Sequence, residues 1–310
     1  MEDATALLAE LRPRAFGVAY RMLGSVSEAE DVVQEALLRV HQAVSSGEQL
    51  LSPAAFVTTV TTRLAITELR SARARREQYV GDWLPEPIVT GDDPASLAES
   101  TDALSLALLV ALETLSAEQR AALLLRDVFD YRYPDIADVI GTTEANARQL
   151  TARARKHVAE RRVRFTTSRA HHRDLVQRFF AAARDGDLEG LEKLLAADVT
   201  MTGDGGGKVP ALGRTIHGSF KVAKTLVNGL REFGRYGGTT WRPVEVNGGP
   251  GMLYLDTAGR VLGVMALTVV DGRVESVDAV VNPDKLHHLG AVGDLLSLER
   301  GRDGSVGGPA

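Results

Sequence analysis

The sequence predicts a multi-domain chain, two all-α segments followed by an α+β domain, and three observations predict it. Between residues 27 and 79 apolar side chains recur at helical spacing. Residues 134 to 158 read as a short helix, a glycine turn and a second helix dense in Arg and amide side chains, the pattern of a DNA-reading helix-turn-helix. From Val199 onward the pattern changes to short β-rich runs separated by Gly-containing turns.

In the first segment, Ser27 and Glu30 form the sequence pattern of a capping box, opening a helix that runs to about Gln42. Ala29, Val32, Val33, Ala36, Leu37 and Val40 give it a wide apolar face, and Glu28, Asp31, Gln34 and Glu35 a polar one. A second helix is expected from about Pro53 to Tyr79, with Phe56, Val60, Leu64 and Leu69 inward and Arg63, Arg70, Arg73, Arg75 and Arg76 displayed. Pro85, Pro87, Pro94 and Gly91-Asp92-Asp93 exclude continuous helix, so residues 80 to 100 are expected to be an extended, adjustable connection. Trp83 within it reads equally as a docking residue or as a cover on the end of the first core.

The helix-turn-helix follows from local chemistry. Pro134 suits a first helical turn, where its missing N–H is no loss, and Gly141 supplies the left-handed backbone that ends the short helix. Thr143 then stands at an N-cap and Glu144 opens the second helix. Ala147, Leu150 and Ala154 face inward, leaving Asn146, Arg148, Gln149, Arg153, Arg155 and Lys156 outward. Arg and Asn or Gln match guanine and adenine edges, and Arg and Lys bind phosphates.

The third domain starts near Ser168. Leu175, Phe179, Phe180, Leu188, Leu191 and Leu194 form helical stripes. Strands are expected at Val199 to Thr202, Thr239 to Val246, Gly251 to Asp256, Val261 to Val270 and Arg273 to Val281, with Asn247-Gly248-Gly249 and Asp271-Gly272 as turns. Helices before a meander indicate α+β.

Composition narrows the functional classes. The net charge of −5 argues against a uniformly basic nucleic-acid coat, yet Arg70 to Arg76 and Arg148 to Arg164 concentrate positive charge locally. The absence of cysteine excludes disulfides and thiolate metal sites and fits a reducing cytoplasm. No run approaches the ~20 apolar residues of a membrane span, so no membrane partner is expected. Asp204, His217, Asp256 and Asp278 are titratable, but no two have a spacing that reports a shared catalytic site. The His171-His172 and His287-His288 pairs point apart on regular elements, so neither catalysis, metal nor cofactor is expected. The acidic and Gly-rich tail from Leu295 to Ala310 reads as disordered.

Tyr20-Arg21-Met22-Leu23-Gly24, followed by Glu28-Ala29-Glu30-Asp31-Val32-Val33-Gln34-Glu35, resembles the polymerase-binding helices of the σ2 domain in extracytoplasmic-function (ECF) sigma factors. Phe56 to Arg70 resembles the helix of that family that opens and reads the minus-ten element, although Thr67 stands where many relatives carry Asp. Leu112-Glu113-Thr114-Leu115-Ser116-Ala117-Glu118-Gln119-Arg120 and the helix-turn-helix resemble its σ4 domain. Trp83-Leu84-Pro85-Glu86-Pro87, Asp204-Gly205-Gly206-Gly207-Lys208 and Asn282-Pro283-Asp284-Lys285, in this order, resemble the signature of the SigJ-like group, which carries a C-terminal SnoaL-like extension.

The resemblance implies a σ2 domain over residues 1–78, a linker over 79–100 and a σ4 domain over 101–164. A SnoaL-like (NTF2-like) cone domain would follow over 165–290 and a flexible tail over 291–310. It implies that Asp31, Gln34 and Glu35 meet the clamp helices of the largest polymerase subunit and that σ4 meets the flap of the second-largest. Arg63, Arg70, Arg73, Arg75 and Arg76 would handle minus-ten DNA, and Asn146, Arg148, Gln149, Arg153 and Lys156 the minus-thirty-five groove. Three consecutive glycines flanked by Asp204 and Lys208 allow a close backbone approach with directed polar bonds, and Asn282-Pro283-Asp284-Lys285 is a rigid polar corner, so these two motifs are expected to dock on σ2 or on the linker motif, while an unidentified small molecule could occupy the cone. A one-component, ligand-responsive DNA-binding regulator and a SnoaL-like enzyme with a helical appendage are the alternative readings.

Overall fold

The computed structural model describes residues 2–90, 105–160, 169–235 and 239–297, with side chains described over 5–72, 76–90, 105–159, 174–232 and 239–297. The chain divides into two compact units, one helical and one α+β; residues 79 to 90 cluster with the second.

In the helical unit, α1 (Glu2–Leu23), α2 (Val26–Ser45) and α3 (Pro53–Glu77) form a bundle. Its buried positions are rich in Ala, with Ala15 and Ala19 of α1, Ala29 and Ala36 of α2 and Ala65 and Ala72 of α3, so the helices approach closely. The expected capping box is two residues off. Gly24 takes a left-handed conformation (φ 67°), which turns the chain early, and Ser25 becomes the N-cap, its Oγ accepting from the Glu28 N–H at 3.2 Å. Ser27 already lies in the first helical turn.

The inward stripe of α3 is rotated from the expected one. Val57, Thr58, Thr61, Thr62, Ala65, Ile66 and Leu69 are buried, whereas Phe56, Val60 and Leu64 are half-buried. Small and β-branched residues fit the narrow gap beside α1, and Thr58 and Thr62 satisfy their hydroxyls by donating to the carbonyls of Ala54 and Thr58, each at 2.8 Å.

The second half of this unit holds α4 (Leu106–Leu112), α5 (Ala117–Asp127), α6 (Tyr133–Ile140) and α7 (Glu144–Glu160). A reciprocal capping box between Ser116 and Gln119 starts α5. Pro134 sits in the first turn of α6, Gly141 ends it in the left-handed conformation (φ 71°), and Thr143 Oγ1 accepts from the Asn146 N–H at 3.2 Å. Ala122, Leu125, Ile136, Ala137, Val139 and Ala147 make the core of this helix-turn-helix as its sequence requires.

In the second unit, α8 (Arg169–Asp185), α9 (Leu188–Leu194) and α10 (Ser219–Arg235) accompany a six-stranded sheet of order β2-β1-β6-β5-β4-β3. The strands are β1 (Leu195–Asp204), β2 (Ile216–His217), β3 (Thr240–Val246), β4 (Gly249–Leu255), β5 (Val261–Val270) and β6 (Arg273–Val280). All neighbours are antiparallel except β1 and β6. Both two-residue turns are primed, with Asn247 and Gly248 at φ 52° and 76° and Asp271 and Gly272 at φ 49° and 75°. Phe179, Leu191, Val222, Leu226, Met252, Tyr254 and Met265 are among the residues of one core between helices and sheet.

Two expectations are corrected here. The tail does not become free at residue 291. Val292 bridges Val261, the Val261 N–H donates to the Ala291 carbonyl at 2.8 Å, and Leu295, 5% exposed, enters the domain core. Residues 298–310 lie outside the described residues. Nor is the described part of the linker free of the α+β domain. Its Val89 bridges Val246, and the Thr90 N–H donates to the Glu245 carbonyl at 2.8 Å, extending the sheet at the edge of β3. Residues 91–100 lie outside the described residues.

Candidate nucleic-acid interface and linker clamp

Asn146, Arg148, Gln149, Arg153, Arg155 and Lys156 all lie on the exposed face of α7. Several are pre-oriented. Arg148 stacks on the Tyr133 ring, 4.4 Å from its centroid, and pairs with Glu144 at 2.5 Å. Asn146 Nδ2 donates to Thr142 Oγ1 at 2.8 Å, and Arg153 donates to Gln149 Oε1 at 3.3 Å. Rotamers held in this way lose less entropy when a base edge or phosphate replaces the present partner.

Asp31, Gln34 and Glu35 are exposed on α2, with Glu35 paired to Arg39 at 2.9 Å. The α3 arginines are less open than expected. Arg63 donates to the carbonyls of Asp138 and Val139 at 2.9 and 3.1 Å, and Arg70 donates to Glu118 at 2.6 and 3.1 Å. Arg76 is not displayed. Its side chain is 16% exposed, donates to the Leu23 carbonyl at 2.5 Å, and pairs with Glu113 and with Glu28 at 3.7 Å. The side chains of Arg73 and Arg75 lie outside the described residues.

Sequence reasoning missed Arg120. It is 1% exposed and donates to the carbonyls of Met22 (2.6 Å) and Leu112 (3.0 Å) and to Glu113 (2.6 Å). Burial lowers its pKa, while Glu113 pulls the other way.

In the second unit the three linker and extension motifs meet. Because β1 and β6 run parallel with Asp204 opposite Val280, the loops that leave them emerge at the same end of the sheet. The Asp204 carboxylate, fully buried, accepts from four donors: the Tyr79 hydroxyl (2.5 Å), the Gly206 N–H (3.1 Å), the Leu84 N–H (2.9 Å) and Lys285 Nζ (2.7 Å). Lys285 also donates to the Leu84 carbonyl and lies over the Trp83 ring, 3.9 Å from its centroid. Asn282 Nδ2 donates to the Tyr79 hydroxyl at 2.7 Å. Burial, then the hydrogen bond to Asp204, pushes the Tyr79 phenol up, keeping it neutral.

The three glycines are required by close approach. A Cβ on Gly205 would lie 2.3 Å from the Val209 carbonyl, one on Gly206 2.3 Å from Asn282 Nδ2, and one on Gly207 2.9 Å from Val80 Cβ. Trp83 is half-buried, while Leu84, Pro85, Glu86 and Pro87 are buried. His288 lies 2.7 Å from the Pro87 carbonyl and 4.0 Å from Glu86. Pro283 starts a single helical turn with Asp284 and Lys285. Lys208 pairs with Asp284 at the surface.

The remaining titratable residues serve separate ends. Asp256 accepts from Arg260 (2.6 Å) and from turn N–H groups, His217 is exposed, and Asp278 is buried beside Ser276. A groove of about 840 Å³ opens between α8 and the β3–β4 hairpin, with Phe180, Trp241, Met252, Arg184, Arg242 and Val89 in its walls.

Comparison with known proteins decides between these readings. The family "Sigma-70 region 2" matches residues 7–75, spanning most of α1 to α3, and "Sigma-70, region 4" matches residues 105–158, spanning α4 to α7. The ECF RNA polymerase sigma factor SigJ of Mycobacterium tuberculosis is 39% identical over 89% of this chain and 90% of its own length. The chain belongs to the ECF sigma factors. The probable ECF sigma factor SigI of Mycobacterium tuberculosis is 31% identical over 88% of the chain and 91% of its own. The crystal structure of Mycobacterium tuberculosis SigJ superposes with a TM-score of 0.73 at 36% identity, covering 90% of this chain and 96% of that one. In this sigma factor, region 2 is therefore the α1–α3 bundle and region 4 carries the helix-turn-helix, followed by a SnoaL-like α+β domain. Among the described residues no helix is long and apolar enough to cross a membrane.

Proposed function

We propose that in this ECF sigma factor, which binds RNA polymerase and directs transcription initiation, the C-terminal domain sets activity in cis through its grip on the linker. The observation that carries this reading is the buried Asp204 carboxylate, whose donors include the Tyr79 hydroxyl and the Leu84 N–H of the linker. Membership of the family implies that the linker enters the polymerase's active-site channel, and a segment whose backbone and side chains are bonded to a folded domain cannot take that path without giving those bonds up.

Asp31, Gln34 and Glu35 on the exposed face of α2 would meet the clamp helices, and region 4 the flap. Asn146, Arg148, Gln149, Arg153 and Lys156 would read and grip the minus-thirty-five groove. Arg63, Arg70, Arg73, Arg75 and Arg76 would serve minus-ten DNA, Arg76 only once released from Glu113. Asp204, Asp256 and Asp278 are engaged separately, by the linker, by Arg260 and by Ser276. A small-molecule ligand is a second reading, favoured by Val89 in the wall of the groove, where an occupant would touch the linker.

Run-off transcription with purified core polymerase tests the reading, comparing the full chain with one ending at Arg164. Transcription that requires this protein and differs between the two supports cis control. Equal transcription by both removes it.

A further inference from the structure

Region 2 and region 4 are joined by charge, and the region-2 partners are arginines assigned above to DNA. Arg70 directs Nε and Nη2 at the carboxylate of Glu118, in the first turn of α5. Arg63 donates to two carbonyls in the last turn of α6, the negative end of that helix. Arg76 meets Glu113, and Glu113 in turn holds Arg120, which reaches the last turn of α1 at Met22. A guanidinium facing a carboxylate presents the same planar donors that it presents to a phosphate.

We propose that region 4 masks the DNA face of region 2, with Glu118 and Glu113 standing in for promoter phosphates on α3. Clasp and minus-ten DNA are then mutually exclusive, and region 4 leaves α3 before that DNA is bound. The proposal rests on the assignment of the α3 arginines to DNA.

The clasp has two layers of different strength. Arg70 and Glu118 form its rim, 64% and 32% exposed, so solvent and salt weaken the pair and a phosphate exchanges with it readily. Arg76, Glu113 and Arg120 form its buried layer, where removing the shared carboxylate leaves Arg120 buried with no carboxylate and Arg76 with Glu28. The rim is therefore the place where DNA begins to compete, and the place to test.

The chain has no cysteine, so spin labels at Gln42→Cys on α2 and Ala152→Cys on α7, both exposed positions, report a single interregion distance. Distances are measured by pulsed electron paramagnetic resonance, with and without minus-ten DNA, alongside DNA affinity by anisotropy. Glu118→Gln shifts the population toward longer distances and tightens DNA about threefold, the scale of a half-exposed pair. Glu48→Gln, the same charge change at an exposed position, leaves the distance unchanged. Arg70→Gln opens the clasp as Glu118→Gln does but weakens DNA binding.

A Glu118→Gln protein that matches Glu48→Gln in both distance and affinity overturns the mask. Opening by both clasp variants, with Arg70→Gln binding DNA as tightly as Glu118→Gln, overturns instead the assignment of α3 to DNA.

Discussion

Lys285 places its ammonium 2.7 Å from the Asp204 carboxylate with both side chains buried, and the linker backbone at Leu84 bonds to each of them. The ion pair is thus part of the linker's binding site. Asp204→Asn leaves the Lys285 charge buried without its counter-ion, a change that costs about 3 kcal/mol. Thermal unfolding checks the cost. In a Trp241→Phe background, where Trp83 is the remaining tryptophan, its emission should shift toward that of exposed indole.

Gly206→Ala tests the close approach. Gly206 has φ 61°, and its new methyl would overlap Asn282 Nδ2 and press on the Tyr79 hydroxyl. The expected loss is about 2 kcal/mol, combining left-handed strain with the clash. Trp83 emission should move as for Asp204→Asn, whereas Gly213→Ala, with open space around its Cβ and no positive φ, should change neither signal.

On α7, base readers and phosphate grips separate by experiment. Arg148→Ala should lose about 1–3 kcal/mol of discrimination at one promoter base with polymerase affinity unchanged. Arg153→Ala should weaken all sequences alike and lower the slope of log affinity against log salt by about 1. Competition binding against base-substituted promoters, repeated over a salt series, distinguishes the two.

Leu295 reports on the tail. Its side chain lies in the domain core, so Leu295→Ala should destabilise the second unit by about 2–4 kcal/mol. A tail that is free from residue 291 predicts no change in the unfolding temperature.

Asp278 gives the pH dependence. Burial raises its pKa from 3.8 to about 6, against the lowering effect of Ser276. The folded state therefore holds this proton more tightly than the unfolded one. Stability falls as pH rises from about 4 to 6 and then levels, by about 3 kcal/mol at 1.36 kcal/mol per unit. Asp278→Asn should raise stability above pH 6 and have no such advantage near pH 4, measured as the difference in unfolding free energy across that range.

The elements written in local chemistry were legible. Pro134, Gly141 and Thr143 each act within a turn of their own position, and the helix-turn-helix falls where they put it. Asn247-Gly248 and Asp271-Gly272 fixed both hairpins for the same reason. The three motifs were legible as a set, but not the parallel pairing of β1 and β6 that brings two of them together. What stayed hidden depends on partners distant in sequence. Arg76 looks like one more exposed arginine until Glu113 and the Leu23 carbonyl are beside it, and Arg120 looks like a surface residue until Met22 covers it. The helix α10 was overlooked although Val222, Leu226 and Leu230 carry its period, because the Gly and Thr around it resemble the strand-rich runs on either side. The tail anchor rests on one leucine and one bridge, too little pattern to stand out from a Gly-rich segment.

The central claim is that the C-terminal domain controls this sigma factor by holding its linker. Run-off transcription by an Asp204→Asn, Lys285→Met protein, which releases the linker while leaving no charge unpaired, tests it most directly. The account predicts altered promoter-dependent output with polymerase affinity retained and Trp83 exposed. Unaltered output with Trp83 exposed would contradict it.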